Sequence, residues 1–471
     1  MLLTRIYEDG LAQAAYLLAD EQAGVGMIVD PNRDVDAYIE AADRARIRIV
    51  AVTETHIHAD FLSGSRELAR RTGATLYLSG EGGTNWQYGF AAADGARLLR
   101  DGQSFELGAL RVDAGHTPGH TPEHLSFVVT DMSVADTPAG MFSGDFIFAG
   151  DVGRPDLLER AANVAGTMEP MARQLYQSIQ GTSSLPAHLQ LWPGHGPGSA
   201  CGKSLGAMPS TTLGYERLVN WAFRAPTEKA FIDEVLAGQP EPPMYFARMK
   251  ALNRDGPPPM PSREPLTEVH LPGLHRALHS SMVVIDTRPS AQFAESHLPG
   301  SMSIPFGNSF ATWAGSLIDP EREIVLLADD ATRLTNAQRM LALIGLDRIV
   351  GWAGQTARKE WGAVEPLGSV QQIDPTDVAH KNHRTVVDVR GAAEWDAGHI
   401  PNARHLFLGT LPSTSDELPR DLPIVVHCHT GTRASIAASI LKAKGFTDVV
   451  TMRGGMDAWE AAHLPVEHSS S

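Results

Sequence analysis

Residues 50–61 read VAVTETHIHADF, and this stretch decides the reading of the first half of the chain. Val50 to Thr53 have the apolar, β-branched character of a buried strand. The chain passes straight from that strand into two imidazoles, His56 and His58, and a carboxylate, Asp60. Two imidazoles and a carboxylate at a strand end are metal-site chemistry. Working outward, strand-like runs occur at 14–20, 25–30, 111–115, 125–129 and 141–148, with a helical pattern from Val35 to Arg46. Each run ends in polar residues. AGHTPGHTPEHLSF places His116, His120 and His124; SGDFIF places Asp145; WPGHGPGSACG places His195 and Cys201. A lone histidine is usually a satisfied core group, but this ordered series at successive strand-to-loop junctions points to a metal centre in an α/β domain.

The chain has 471 residues, enough for about three domains. Hydrophobic residues make up 43%, so each domain can build an ordinary core. The net charge of −16 argues against nucleic acid as a partner. No apolar run approaches the roughly 20 residues a membrane span needs, which argues against a membrane partner. Arg5, Glu8 and Asp9 interrupt the start and make it a poor signal peptide. Two cysteines cannot form a disulfide framework and fit a reducing cytoplasm, so a cytoplasmic location is expected.

Proline-rich stretches at 239–243 and 256–261 mark a stiff connection. Beyond it the sequence repeats. MVVIDTRPSAQFAESHLPG from residue 282 answers TVVDVRGAAEWDAGHIPN from residue 385. Asp286, Arg288, His297 and Pro299 match Asp388, Arg390, His399 and Pro401 at an offset of 102. Arg333, Gly345 and Gly354 then match Arg433, Gly445 and Gly454 at an offset of 100. The expected domains are residues 1–250, a linker at 251–265, and two tandem α/β domains with mostly parallel sheets at 266–366 and 369–467.

In the second copy the strand IVVH runs into Cys428, His429, Thr430, Gly431, Thr432 and Arg433, followed by a helical stretch. A strand, a short glycine-bearing loop and a helix start aim backbone N–H groups and the positive helix end at one point. A cysteine there is activated towards thiolate, and Arg433 can bind an oxyanion. The loop and the DVR…GHIP stretch resemble rhodanese, a sulfurtransferase that carries sulfur as a cysteine persulfide. Protein tyrosine phosphatases share a cysteine–arginine loop with five intervening residues, whereas four separate Cys428 from Arg433, a smaller loop that suits sulfur. The first copy has Ala328 where the second has Cys428, so it cannot carry a persulfide and reads as a degenerate rhodanese-like domain.

The histidine and aspartate series at 1–215 resembles the metallo-β-lactamase superfamily, an αββα sandwich whose loops hold one or two metals. Phe61 stands where that family's first motif has its last histidine, which counts against a second metal. The resemblance to the mononuclear iron branch, the persulfide dioxygenases, implies one Fe(II) per chain held by His56, His120 and Asp145, with positions left for O₂ and substrate. His58, Asp60 and His195 are then expected to orient the ligands or bound water. Arg154 corresponds to a family arginine near the thiol carrier and could clamp a substrate carboxylate, or pair with Asp151 or Asp156. Cys201 could relay sulfur or be a buried small residue.

The whole chain resembles a bacterial persulfide dioxygenase–rhodanese fusion. The resemblance implies oxygenation of a thiol persulfide to sulfite, then transfer of sulfane sulfur through Cys428 to sulfite, giving thiosulfate and detoxifying sulfide. His429, Thr430, Gly431 and Thr432 would hold the anionic substrate with Arg433. Relatives of the sandwich often pair, so a homo-oligomer is expected. Two rivals remain: a zinc thioester hydrolase of glyoxalase II type fused to a sulfur carrier, and a sulfur-relay or sulfide-sensing binding protein.

Overall fold

The computed structural model describes residues 1–161, 165–203, 205–262, 264–380 and 383–469. The chain divides into two compact units, Met1–Pro261 with Leu343–Gly345, and Ser262–Ala342 with Leu346–Ser471.

Among the described residues the first unit holds two six-stranded sheets. One runs in order through β1 (Leu2–Glu8), β2 (Gln13–Asp20), β3 (Val25–Val29), β4 (Arg48–Thr53), β5 (Thr75–Ser79) and β6 (Arg97–Leu99). β1 to β3 pair antiparallel, and β3 to β6 pair parallel. The other sheet contains β7 (Ser104–Leu107), β8 (Leu110–His116), β9 (Leu125–Asp131), β10 (Gly140–Gly144), β11 (Gln190–Pro193) and β12 (Thr211–Thr212), again in sequence order. Tyr16, Leu18, Met27 and Val29 of the first sheet meet Val112, Phe127, Phe142 and Trp192 of the second in a buried layer. Helices Asp36–Ala45 and Ser65–Thr72 cover the outer face of the first sheet. Helices Met168–Gly181 and Glu228–Leu236 cover that of the second. This is the four-layer α/β/β/α arrangement: β2 is buried along its whole length because both of its faces are covered.

One strand is shorter than its sequence suggests. The apolar run 141–148 stops being a strand at Gly144, whose φ of +49° turns the chain. A Cβ there would lie 2.5 Å from Thr55 Oγ1, so the turn needs glycine. Phe146, Ile147 and Phe148 are buried as loop residues, and hydrophobicity alone does not distinguish them from a strand.

The second unit contains both copies of the repeat. In the first copy β13 (Val283–Asp286), β14 (Met302–Ser303), β15 (Ile324–Leu327) and β16 (Ile349–Ala353) form a parallel sheet in the order β14-β13-β15-β16. The second copy, β17 (Gln372–Ile373), β18 (Thr385–Asp388), β19 (Arg404–His405), β20 (Ile424–His427) and β21 (Val449–Met452), is also parallel, in the order β17-β21-β20-β18-β19. The repeated identities turn out to be scaffolding. Arg288 pairs with Asp286 at 2.6 Å, and Arg390 with Asp388 at 2.7 Å, each pair buried at a strand end. His297 stacks on Phe293, and His399 stacks on Trp395. The cysteine-less copy also packs on its neighbour: Ser303 bonds Ser435 and Ser439 of helix Thr432–Ala443, and Phe293 lies in the core beneath that helix. Among the described residues no helix is long and apolar enough to cross a membrane.

Candidate metal centre and sulfur-transfer site

Loops following strands of both sheets converge in the first unit. β4 delivers residues 54–61, the β8–β9 connection delivers His120, β10 ends next to Asp145, and β11 ends two residues before His195. His56, His120 and Asp145 are buried, and each offers a donor atom within 4.8 Å of the other two. His120 Nε2 lies 3.4 Å and His56 Nε2 3.9 Å from Asp145 Oδ2.

The hydrogen bonds select the tautomers. His120 Nδ1 lies 3.1 Å from the Arg154 carbonyl, which can only accept, so Nδ1 carries the proton and Nε2 is left with its lone pair. Thr55 gives its hydroxyl hydrogen to Asp30 and so accepts from His56 Nδ1 at 3.0 Å, again leaving Nε2 bare. Both Asp145 carboxylate oxygens are buried with no hydrogen-bond partner among the described residues. Buried carboxylate oxygens without donors are costly, and a cation between these three groups would satisfy them. Burial, then the neighbouring histidines, pushes His56 well below the ordinary histidine range. Burial also lowers His120, outweighing the attraction of Asp145. Two neutral imidazoles and a carboxylate fit a divalent metal.

His58 is built differently. Its Nε2 bonds Asp30 at 3.1 Å. Burial works to lower its pKa, but Asp30, Glu54 and Asp60 prevail and raise it to about 9. Those carboxylates favour its charged form; it stacks on Phe61 at a ring separation of 4.4 Å and is not among the residues whose donor atoms converge with the triad. His116 bonds the Pro122 carbonyl. His124 accepts the Asp145 backbone N–H at 3.1 Å and so fixes the aspartate.

Asp60, His195 and Cys201 form a second buried trio, with donor atoms within 4.8 Å of one another. His195 Nδ1 donates to the Ala12 carbonyl, and its Nε2 stands 3.4 Å from Asp60 and 3.5 Å from Asp145. Both Asp60 carboxylate oxygens lack hydrogen-bond partners among the described residues. Phe61 removes one donor, as the sequence indicates, but Cys201 brings another from a distant loop, so donors for a second ion are present after all. Without metal, burial and then Asp145 and Asp60 push the Cys201 thiol well above its ordinary pKa.

The substrate clamp expected of Arg154 is corrected. Its side chain is 0% exposed, and four N–H groups are taken by both Asp156 oxygens and by the Ala200 and Pro240 carbonyls. Of the two pairings the sequence left open, the one with Asp156 is present. Arg154 is a strut that holds the carbonyl oriented on His120.

In the second unit Cys428 follows β20 and is 1% exposed, and its sulfur accepts the Gly431 N–H at 3.1 Å. Gly431, with φ +124°, opens helix Thr432–Ala443. Met456 and Asp457 N–H groups hold the carbonyls of Cys428 and His429, and a Cβ on Gly455 would strike both oxygens at 2.3 Å. His429 is exposed and pairs with Asp457. Arg433 is engaged in a two-pronged pair with Glu394 at 2.5 and 2.7 Å, a partner the sequence did not reveal. In the first copy Ala328 is buried at the cysteine position, and Asp329 and Asp330 fill the loop, with Asp330 accepting the Arg333 N–H. Two carboxylates make that loop unfit for an anion.

A metallo-beta-lactamase superfamily model matches residues 9–201, and a rhodanese-like domain model matches 273–353 and 375–462. The crystal structure of a metallo-beta-lactamase from Staphylococcus aureus subsp. aureus COL is 39% identical, covers 75% of this chain and 99% of its own, and superposes with a TM-score of 0.70. The chain belongs to the metallo-beta-lactamase superfamily and carries two rhodanese-like domains. A "Probable metallo-hydrolase" of Burkholderia pseudomallei is 33% identical over 221 residues, 41% of this chain and 72% of the relative. A "Sulfurtransferase" of Allochromatium vinosum is 33% identical over 101 residues, 21% of this chain and 94% of the relative. A metal-binding fold and a sulfurtransferase fold thus share one polypeptide.

Proposed function

We propose that this chain oxygenates low-molecular-weight thiol persulfides to sulfite with one Fe(II) at His56, His120 and Asp145, and converts the sulfite to thiosulfate at Cys428. The observation that carries the reading is the triad: two imidazoles presenting bare Nε2 atoms to an aspartate whose buried oxygens have no other partner among the described residues. Iron(II) bound by two imidazoles and one carboxylate supplies redox chemistry with dioxygen that zinc does not. The protein holds the donors still: Thr55 and the Arg154 carbonyl orient the imidazoles, His124 anchors Asp145, and the buried surroundings exclude bulk water.

The overall first reaction takes one persulfide, one O₂ and one water to one thiol and one sulfite with its protons. In the second, Cys428 takes sulfane sulfur from another persulfide, releasing thiol, and the sulfite lone pair then removes that sulfur as thiosulfate. The Gly431 N–H and the start of helix Thr432–Ala443 stabilise negative charge on the cysteine sulfur. Arg433 reaches the anionic acceptor by exchanging it for the Glu394 carboxylate that holds both of its terminal nitrogens. Tethering the two activities raises the local concentration of sulfite at the second.

The zinc hydrolase reading has one specific observation in its favour, the second donor trio of Asp60, His195 and Cys201. Oxygen uptake by iron-loaded protein given glutathione persulfide, with sulfite and thiosulfate quantified together, separates the readings. Stoichiometric oxygen uptake and thiosulfate support the dioxygenase; thioester hydrolysis by a zinc form that takes up no oxygen overturns it.

A further inference from the structure

The arginine that closes the Cys428 loop is already engaged. Its Nη1 and Nη2 donate to the two Glu394 carboxylate oxygens at 2.5 and 2.7 Å. Burial works to raise the Glu394 carboxyl, but the hydrogen bonds and charge of Arg433 hold it below the ordinary range, so it is ionised at neutral pH. Burial works against the Arg433 charge, while Glu394, then Cys428 and Asp388, favour it, so the guanidinium lies within electrostatic reach of the sulfur. The pair is not sealed: Arg433 is 21% and Glu394 38% exposed, open to water and small ions. Glu394 also has a second hold. It lies in the first turn of helix Ala392–Ala397 and accepts the Gly391 N–H at 3.3 Å. A carboxylate released from Arg433 keeps that bond and meets solvent, so parting the pair strands no buried charge.

The repeat supplies an internal control. The buried pairs Asp286–Arg288 and Asp388–Arg390 occur in both copies, as scaffolding does. The Glu394–Arg433 pair is confined to the second. At the offset of 102, Gln292 takes the place of Glu394 and is exposed. Arg333 turns instead to Asp330, 3.7 Å away. The carboxylate thus accompanies the thiol, and it is gone where Ala328 replaces the cysteine.

Resting on the sulfur-transfer step proposed above, we propose that Glu394 is a competing anion built into the loop: it holds Arg433 between turnovers, yields it to a sulfur oxyanion, and takes it back as the product leaves. Sulfite and thiosulfate carry the charge and the several oxygens needed to replace a two-pronged carboxylate. Every anion must displace Glu394, so the loop binds each more weakly than an unpaired arginine would, and thiosulfate is released readily.

The test is thiosulfate-to-cyanide sulfur transfer by the full chain, with inorganic sulfate as an unreactive competitor. Glu394→Gln should lower the KM for thiosulfate about tenfold and strengthen sulfate inhibition by the same factor, the size of one charge-assisted contact. Glu394→Asp, a carboxylate on a shorter arm, should fall between Glu394→Gln and wild type. A residue that merely positioned Arg433 would act in the opposite sense, so a raised or unchanged KM in Glu394→Gln overturns the assignment. Should Glu394→Gln fail to fold, Glu394→Asp decides: sulfate inhibition strengthened severalfold supports the gate, and inhibition of wild-type strength overturns it. If the wild type transfers no sulfur, the sulfurtransferase reading fails, and Glu394 is judged separately by calorimetric binding of sulfite. There about tenfold tighter binding in Glu394→Gln supports the gate, and equal or weaker binding refutes it.

Discussion

Replacing Gly153 by alanine should disable the metal centre while leaving sulfur transfer untouched. An alanine Cβ at this position would lie 1.8 Å from the Asp145 carbonyl oxygen and 3.1 Å from the His120 Cβ, so one methyl group presses on two members of the triad. Relieving the first contact to even 3.0 Å needs a shift of about 1.2 Å, and the obstacle is backbone, which cannot swing aside as a long side chain would. A displacement of about 1 Å in a reacting constellation can cost ~10²-fold in rate. Overpacking of this kind also costs about 1–3 kcal/mol of stability, and each kcal/mol lowers the Tm of a unit this size by about 2–4 °C. The assay is iron per chain together with oxygen uptake on glutathione persulfide, with thiosulfate-to-cyanide sulfur transfer as the internal control for Cys428. Iron content and oxygen uptake should fall by one to two orders of magnitude, with sulfur transfer unchanged. Full iron loading and wild-type kcat in Gly153→Ala would refute the inference that the close approach of Gly153 to Asp145 and His120 fixes the triad.

Cys428→Ser should stop thiosulfate formation and leave oxygen uptake intact, so that sulfite accumulates; ion chromatography of the products reads this directly. Arg154→Met should destabilise the first unit by about 3–5 kcal/mol, because Asp156, 1% exposed, would lose its main counter-ion. Arg160, 3.3 Å away, softens the loss, and urea unfolding measures it. Asp388 gives a pH dependence. Burial works to raise its carboxyl, but the Arg390 hydrogen bonds and the charges of His427 and Arg390 hold it below the ordinary range. Its folded value lies below its unfolded one, so its stabilisation is present above about pH 4 and is lost as pH falls through the folded value. The urea-midpoint gap between wild type and Asp388→Asn should therefore narrow below about pH 4; a gap independent of pH contradicts the ion pair.

An α/β domain was legible in the first half because its buried strands are short apolar runs ending in polar residues, and because 50–61 joins such a strand to its donors without a break; the two-sheet sandwich followed only from the resemblance to the metallo-β-lactamase superfamily. The tandem copies were legible from spacing alone. Their shared residues had to be seen in place before their task was clear: Asp286 with Arg288, and Asp388 with Arg390, are ion pairs between near neighbours, a local motif that recurs wherever this strand end recurs. Long-range pairings were not legible. Arg154 lies two residues from Asp156, so that contact could be suspected, but its bonds to Ala200 and Pro240 join segments far apart in sequence. Cys201 meets Asp60 across some 140 residues, and Phe61 made the second donor group look incomplete because the replacement donor comes from another loop. The spacing from Cys428 to Arg433 conveyed the loop, but not that Glu394 holds the arginine.

The central claim is a single redox-active ion held by His56, His120 and Asp145. Crystals of the active, iron-loaded protein, measured for anomalous scattering on both sides of the iron and zinc absorption edges, test it most directly. One iron peak per chain is expected, within bonding distance of the two Nε2 atoms and an Asp145 oxygen. Two zinc peaks, one of them between Asp60, His195 and Cys201, in protein of full activity would contradict it.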